Sequence, residues 1–235
     1  LVSVSAVQYL GGFRADLETI GKLCDEHDIL FVVDGIQALG ASPIDVRRCK
    51  IDALGTGCHK WLMSPMGIGF LYLSERMQNQ LEPYKTGWLS VEEPWELSNY
   101  DQQWLPVSQH LETGTPNIIG IAGLGASLKL FQDIGTSSIR HHILKLTGYA
   151  IEYLKNTADV SVITPDDDDS RLGIVSFSIE QQKADFDPET VLQKLKKQHM
   201  TVSAREGYFR ISPHFYNTER EIETLLHELL HLAHA

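Results

Sequence analysis

The sequence predicts an α/β protein with a doubly wound, mostly parallel sheet, followed by a small C-terminal α+β domain. Strand-like and helix-like segments alternate over the first 73 residues, which is the order of an open α/β sheet. The segments at 29–33 and 68–73 are continuously apolar, as expected for strands covered on both faces. Near residue 158 this order changes to short strands with two helical segments. We therefore predict a large domain over residues 1–158 and a small one over residues 159–235.

The segments of the large domain show the residue periods of helices and strands. Leu17, Ile20 and Leu23 recur at helical spacing. The segment at 1–7 alternates and ends at a glycine pair. The predicted elements are strands at 1–7, 29–33, 51–54 and 68–73, and helices at 15–27, 35–40, 117–134 and 137–157. Residues 74–111 contain three tryptophans and three prolines without a clear period, which is typical of a functional segment or one that wraps a partner.

The small domain has shorter elements. Its predicted strands are 160–163, 173–179, 200–204 and 208–211, and its predicted helices are 188–198 and 219–234. The four consecutive aspartates at 166–169 predict a solvated loop.

Charge and composition exclude several classes of partner. With 31 acidic and 20 basic residues, the formal net charge is −11, and no basic face is apparent to neutralise phosphates, so we expect no nucleic-acid partner. No apolar run reaches the roughly 18 residues of a transmembrane helix, so we expect no membrane. Three irregularly spaced cysteines predict reduced thiols and a cytoplasmic protein. The chain opens at Leu1 inside a strand-like segment, which suggests the later part of a longer protein.

Asp34 and Lys60 each follow a strand-like segment and are the first candidates for chemistry. Parallel strands end at one edge of a sheet, where ligands bind, so we expect both side chains in one crevice. A lysine that forms a Schiff base and a carboxylate that keeps a pyridine nitrogen protonated are what pyridoxal phosphate requires. Gln37 is placed to donate to the phenolic oxygen of the cofactor, and His59 to lie beside its ring or phosphate. Singly, Asp34 also fits a helix N-cap and Lys60 a surface lysine.

Four motifs, in order along nearly the whole chain, resemble the class V aminotransferase family. The motifs are DGIQA at 34–38, GCHKWL at 57–62, ETGTPN at 112–117 and RISPHFYNT at 210–218. The family includes cysteine desulfurases, selenocysteine lyases, kynureninases and isopenicillin N epimerase-like proteins. The resemblance implies a fold type I pyridoxal-phosphate enzyme that acts on an amino acid.

The resemblance also implies roles for individual residues. Thr115 reaches the cofactor phosphate of the neighbouring subunit, which makes the enzyme a homodimer with a shared active site. Arg210 clamps the α-carboxylate of the substrate, a task that suits a planar guanidinium. The main phosphate-binding loop and the ring-stacking residue are implied to lie in an earlier segment. Where the family often has a hydroxyl, three residues before Lys60, this chain has Gly57, and Thr56 is the candidate replacement.

The reaction type stays open among lyase, epimerase and transaminase chemistry. Persulfide-forming desulfurases carry a nucleophilic cysteine shortly before the carboxylate-binding arginine, and residues 198–209 contain none. Cys58 beside Lys60 is predicted to be a small buried residue. We therefore disfavour sulfur relay. C–S or C–Se cleavage of the cysteine desulfurase or selenocysteine lyase type is kept as the alternative.

Two further hypotheses remain. His227 to His231 matches the HExxH pattern of zinc hydrolases, but the leucines between and around them predict an amphipathic helix packed on a core, and we expect no metal. A non-catalytic domain that keeps only the fold and a dimer surface is also compatible with the sequence. Bound pyridoxal phosphate would distinguish an enzyme from such a domain.

Overall fold

The structure, a computed structural model, describes residues 1–82, 85–180 and 187–234. Within these ranges the strands are β1 (Val2–Ser5), β2 (Phe31–Asp34), β3 (Ala53–Gly57), β4 (Gly69–Leu73), β5 (Val160–Val162), β6 (Val175–Ile179), β7 (Ser203–Arg205) and β8 (Tyr208–Ile211). The helices are α1 (Leu17–Glu26), α2 (Glu75–Gln78), α3 (Val107–His110), α4 (Ile118–Ile134), α5 (Thr136–Lys155), α6 (Pro188–Lys197) and α7 (Glu219–His234).

The chain divides into two compact units that are each assembled from separated segments. Unit 1 consists of Leu1–Val4, Leu17–Asp34 and Asp45–Leu128, and unit 2 of Ser5–Asp16, Gly35–Ile44 and Lys129–Ala235. Each unit is a set of segments that contact one another, so no single position in the sequence separates the two units. The predicted domain boundary near residue 158 therefore stays a prediction.

Unit 1 contains a four-stranded mixed sheet in the order β1-β2-β3-β4. Strands β2 and β3 are parallel, with Asp34 opposite Gly55. Strands β3 and β4 are antiparallel, with Gly57 opposite Gly69. The connection between these two strands contains no helix, and a parallel pair needs a crossover of about a dozen residues or more, usually helical. The chain between them therefore reverses as a loop, and this loop carries Lys60.

Buried Asp52 ties together the amino ends of β2 and β3. Its Oδ2 accepts a hydrogen bond from the Phe31 backbone amide (2.9 Å), and its Oδ1 accepts one from the Ser74 hydroxyl (3.0 Å). The carboxylate is thus satisfied by partners from β2 and from the end of β4, as a buried charge requires. Asp52 thus acts at the amino ends of β2 and β3, whereas Asp34 and Gly57 lie at their carboxyl ends.

Unit 2 contains a four-stranded antiparallel sheet in the order β5-β6-β8-β7. Its core joins the sheet to helices α5, α6 and α7, and includes Leu146, Leu154, Phe177, Leu195, Phe209, Leu226 and Leu229. Helix α6 begins at Pro188 after Asp187, whose carboxylate caps two backbone amides. Helix α7 begins with a capping box between Thr218 and Glu221. Hydrogen bonds to Thr218 hold the pKa of Glu221 below its ordinary value.

The helix predicted at 35–40 was wrong, because this stretch forms hydrogen-bonded turns. The Ala38 and Leu39 amides both donate to the Gly35 carbonyl, at 2.9 Å. Gly40 then takes a φ of 98°, which is outside the helical region, and Pro43 follows three residues later. A second hydrogen-bonded turn follows, in which the Ala41 and Ser42 amides donate to the Ala38 carbonyl at 2.9 Å, but it passes through Gly40, so the two turns do not join into a helix.

The aspartates at 166–169 are exposed, as predicted, and also take part in ion pairs. Asp166 contacts Lys155 at 2.5 Å, Asp168 contacts Arg171 at 2.5 Å, and Asp169 lies 3.8 Å from Arg140. Such pairs connect the loop to α5 and to the buried Arg171. The loop is thus solvated but held in place.

None of the described helices is by itself long and apolar enough to cross a membrane. Helices α4 and α5 reach the required length and composition only as a pair that is bent by 80°.

Candidate active site

Asp34 and Lys60 leave the first sheet at the same edge. Asp34 is the last residue of β2 and pairs in register with Gly55 of the parallel strand β3. Strand β3 continues to Gly57, and Lys60 follows three residues later. Both side chains are exposed. A Cβ built on Gly55 meets no atom within 4 Å, so the strand surface directly opposite Asp34 is open.

The loop that carries Lys60 is closed by backbone hydrogen bonds. The Cys58 amide donates to the Ile68 carbonyl and the Ser64 amide donates to the Cys58 carbonyl, both at 3.0 Å. Within the loop, the Met63 amide donates to the Lys60 carbonyl at 3.0 Å. Lys60 therefore starts a tight turn inside a loop whose two ends are pinned together.

Apolar anchors decide which residues of this loop face outward. Trp61 and Leu62 are 5% and 6% exposed, and the hydroxyl of Ser127 on α4 donates to the Leu62 carbonyl. Burying two consecutive large side chains fixes the orientation of the loop, since each contributes about 1.5–3 kcal/mol when fully buried. His59 and Lys60 are consequently presented at the exposed side.

Cys58 is fully buried, as predicted. Burial raises the pKa of its thiol, because a thiolate loses hydration in an apolar environment. The thiol is therefore neutral near pH 7. In this state it is a packing residue and a poor nucleophile.

Gln37 and Thr115 occupy different kinds of position. Gln37 is buried and belongs to the turn 36–41 in unit 2. Thr115 is exposed in the loop before α4 in unit 1. That loop is held by Asn117, whose Nδ2 donates to the Gly67 carbonyl (3.3 Å) and whose Oδ1 accepts from the Gly120 amide (2.9 Å).

Arg210 lies on β8 in unit 2, opposite Ser176 of β6 and Ser203 of β7. Its Nη1 donates to the Tyr9 carbonyl at 2.7 Å. Its Nε is buried and has no hydrogen-bond partner among the described residues. Burial lowers the pKa of Arg210. A buried donor without an acceptor is costly, so this guanidinium is suited to receive an anion.

The segment that holds Arg210 was not found by sequence reasoning. The Gln8 side-chain oxygen accepts from the amides of Leu10 and Gly11, at 2.8 and 2.5 Å. The Ser176 hydroxyl donates to the Leu10 carbonyl at 2.5 Å. These bonds fix the turn whose Tyr9 carbonyl meets Arg210. The only signal in the sequence was a Gln placed shortly before the Gly11-Gly12 pair.

The predicted site residues are therefore distributed over both units. Asp34, His59 and Lys60 share one edge of the first sheet, and Thr115 belongs to the same unit. Gln37 and Arg210 belong to unit 2.

The HExxH residues of α7 belong to an amphipathic helix. Ile222, Leu226 and Leu229 are buried in the unit 2 core, while His227 and His231 are exposed. Over the described ranges, no group of three or more His, Cys, Asp or Glu side chains is arranged to hold a metal ion. The helix is amphipathic, as its pattern predicted.

Comparison with known proteins identifies the family. The aminotransferase class-V profile matches residues 1–225. The chain belongs to this family. It is 31% identical over 234 residues to an uncharacterized aminotransferase, YcbU, of Bacillus subtilis (strain 168), covering 97% of this chain and 58% of the relative. It is also 31% identical over 239 residues to a probable cysteine desulfurase of Pyrococcus abyssi, covering 96% of this chain and 58% of the relative.

Solved structures of the family confirm the predicted fold class. An apo cysteine desulfurase from Thermococcus onnurineus NA1 matches with a TM-score of 0.87 at 29% identity, covering 99% of this chain and 59% of that one. The cystine C–S lyase C-DES, solved with its product cysteine persulfide, matches with a TM-score of 0.84 at 25% identity, covering 97% and 60%. The chain therefore has the fold type I architecture, and it spans about 58% of the length of the curated relatives it matches.

Proposed function

We propose that the full-length protein is a pyridoxal-phosphate-dependent enzyme that acts on an amino acid. The observation that carries the proposal is the placement of Asp34 and Lys60 after neighbouring parallel strands, at one edge of one sheet. An acid and an amine at such an edge are the donor set that the cofactor needs. The open strand surface at Gly55 leaves room for a planar ring beside Asp34, so the residues present fit the group.

Each residue at this edge has a distinct task in the proposal. Pyridoxal phosphate, when bound, withdraws electrons from the α-carbon of an amino acid. Asp34 would accept the hydrogen bond of the ring nitrogen and keep its proton there. Lys60 would hold the cofactor through its Nζ, and the same amine would carry a proton to or from the substrate α-carbon. His59 would lie beside the ring or phosphate. Gln37, which belongs to unit 2, is proposed to donate to the phenolic oxygen.

Arg210 is proposed to bind the α-carboxylate of the substrate. Its buried Nε, which has no hydrogen-bond partner in the described part of the chain, and its tethered Nη1 support this role. A guanidinium that is already oriented loses little freedom on binding a carboxylate. Binding would satisfy the orphan donor. The amino acid is then oriented by its carboxylate, which decides what bond at Cα points toward the reacting edge.

The active site is proposed to be shared between the subunits of a homodimer, with Thr115 reaching the partner's cofactor phosphate. Thr115 is exposed, and the apolar residues that follow it, Ile118, Ile119 and Ile121, are 65%, 83% and 49% exposed. Exposed apolar clusters of this kind mark surfaces that another chain covers. Light scattering of the full-length protein tests the dimer.

The cytoplasm is the proposed location, supported by free cysteines.

Among the possible reactions we favour one that does not pass sulfur through a cysteine of this chain. The approach to Arg210 is the hairpin of β7 and β8, whose two turn residues, Glu206 and Gly207, both have positive φ (51° and 82°). This tight turn contains no cysteine and no long loop that carries one outward. Lyase, epimerase and transaminase outcomes all remain compatible with the site.

Cysteine desulfuration is the second candidate, because several relatives carry that name. One experiment separates the candidates. The full-length protein is incubated with pyridoxal phosphate and a panel of amino acids, and keto acid, sulfide, alanine and racemised amino acid are measured. A cysteine-dependent persulfide on the protein, detected by mass spectrometry, would favour desulfuration by relay. A protein that never develops the yellow absorbance of bound cofactor would favour the non-catalytic domain and contradict the proposal.

A further inference from the structure

The segment from Thr86 to Trp104 lines a half-open cavity whose lining contains none of the residues proposed to hold the cofactor or the substrate. Its volume is 300 Å³, at the lower end of the range for small-molecule sites. The residues that line it include Trp88, Tyr100, Trp104 and Glu96. Three aromatic residues and one acidic residue therefore border one space.

The wall of this cavity is organised although the segment has no long helix or strand. The Leu105 amide donates to the Ser90 carbonyl at 3.0 Å, and the Glu92 amide donates to the Gln103 carbonyl at 3.2 Å. These bonds hold the two arms of the segment side by side. They close a loop over residues 93–102, which supplies Glu96 and Tyr100.

Gln102 braces this loop from inside. Its Oε1 accepts from the Glu93 amide at 3.0 Å, and its Nε2 donates to the carbonyls of Glu96 and Asn99, at 3.2 and 3.1 Å. One side chain thus fixes three points of the loop backbone. A binding site that is already shaped costs less ordering entropy when a ligand enters.

The aromatic rings are exposed to solvent in a way that ordinary packing does not explain. Trp88, Trp104 and Tyr100 are 40%, 51% and 96% exposed. Trp88 is supported by Trp95, whose ring meets it edge-on with centroids 5.1 Å apart and an interplanar angle of 63°. The position of the Trp88 ring is thus supported by an edge-on contact from outside the cavity lining.

The charge of the segment has one sign. Between residues 86 and 104 the charged side chains are Glu92, Glu93, Glu96 and Asp101, with no Lys or Arg. Across the part of the chain that the structure describes, none of these four carboxylates forms an ion pair. Such a surface attracts cations and repels anions.

We propose that this cavity binds an organic cation with a quaternary or methylated ammonium group. The faces of Trp and Tyr rings attract such a cation within about 6 Å of the ring centroid, and methylated ammonium ions are the ligands of aromatic cages. Glu96 supplies the counter-charge. A neutral apolar ligand would gain nothing from the carboxylate, and an anion would be repelled. The proposal does not depend on the role of Lys60.

The test compares a cation with its neutral isostere on the full-length protein. Choline and 3,3-dimethylbutan-1-ol have the same shape, and only choline is charged. Isothermal titration at constant ionic strength should show saturable choline binding, with the neutral alcohol about tenfold weaker. Trp104→Leu and Glu96→Gln should each weaken choline binding, by about fivefold and about threefold. Phe70→Leu, an exposed ring on β4 outside the cavity, and Glu75→Gln are the matched controls and should bind choline normally.

Three results would overturn the proposal. Equal affinity for choline and the alcohol would make the cavity merely apolar. Absence of saturable choline binding by the unmutated protein would remove the site. A third result would combine two measurements: the unmutated protein does not bind choline, and light scattering shows that Trp104→Leu dissociates an oligomer. The rings would then belong to a contact between copies of the chain. If Trp104→Leu does not fold, the comparison of choline with the neutral alcohol and the affinity of Glu96→Gln for choline still test the proposed cation site.

Discussion

Lys60 and Arg210 are two cations proposed to serve one substrate, yet the chain holds them in opposite ways. Lys60 is exposed and sits on a loop that is anchored by its neighbours Trp61 and Leu62. Arg210 lies within a strand, its Nε is buried, and burial lowers its pKa. An amine that must form and release a bond needs access, whereas a carboxylate clamp gains from low dielectric and a fixed direction. The supporting structure therefore differs because the tasks differ.

Lys60→Ala is expected to have the largest effect. It should abolish covalent attachment of pyridoxal phosphate and lower turnover by about 10²–10⁴-fold, because the attaching amine and the proton carrier are the same group. Borohydride reduction followed by mass spectrometry measures the attachment. Lys22→Ala, on the exposed face of α1, is the control. A reducible adduct that persists in Lys60→Ala would refute the assignment.

Asp34→Asn should lower turnover by about 10- to 10³-fold while the cofactor stays attached, since the amide has a similar shape but no charge to hold the ring proton. Steady-state kinetics and the absorbance of the bound cofactor check this pair of results. Asp25→Asn on α1 is a charge-matched control. Unchanged turnover would mean that another group faces the ring nitrogen. The proposed role of Asp34 at the end of β2 would then be refuted.

Arg210→Ala should raise KM for the amino acid by about 2–4 kcal/mol, or roughly 30- to 10³-fold, with the cofactor still attached. Arg210→Lys should recover only part of this loss, because an ammonium lacks the planar fork. Arg47→Ala, an exposed arginine in unit 1, is the control. This result would sharpen the comparison, since Lys60 should govern attachment and Arg210 should govern KM. An unchanged KM in Arg210→Ala would place the carboxylate elsewhere.

Cys58→Ser should have the smallest effect, with turnover changed by less than about threefold, because the buried thiol packs and does not react. Its raised pKa keeps it protonated near pH 7, so alkylation should be slow there and should accelerate only as pH rises past the range of ordinary thiols. Iodoacetamide labelling followed by peptide mass spectrometry, with the less buried Cys49 as internal reference, measures this. Loss of activity in Cys58→Ser would revive a sulfur-carrying role.

The sequence predicted the elements of the chain well because their signals are local. The periodic runs that predicted helices at 117–134 and 219–234 correspond to α4 and α7. The apolar segment at 29–33 became the mostly buried strand β2. The prediction of a buried strand at 68–73 was wrong in its burial, because Phe70 and Leu71 of β4 are exposed. The prediction of a helix at 35–40 was wrong because the positive φ of Gly40 interrupts the helical conformation between two hydrogen-bonded turns. Such a conformation has to be selected by the surrounding structure, since a glycine accepts either sign of φ.

Candidate site residues could be selected from the sequence where they belong to motifs, but backbone groups that support them could not. Asp34 and Lys60 stood out by type and by their place after apolar segments. The Tyr9 carbonyl that meets Arg210 carries no side-chain signal, and any residue at position 9 would provide it. The hydrogen bonds of Gln102 to three backbone groups could not be predicted either, because their partners are backbone atoms that any residue would supply.

The order of strands and helices, the family and the candidate amine, acid and guanidinium were determined by the sequence alone, because periodicity and motif spacing are properties of neighbours along the chain. The tertiary structure decided the reversed direction of β4, the register of Asp34 against Gly55 and the orphaned Nε of Arg210. These features depend on contacts between residues far apart in sequence, such as positions 9 and 210, and on which polar atoms lose their water when the chain closes around them.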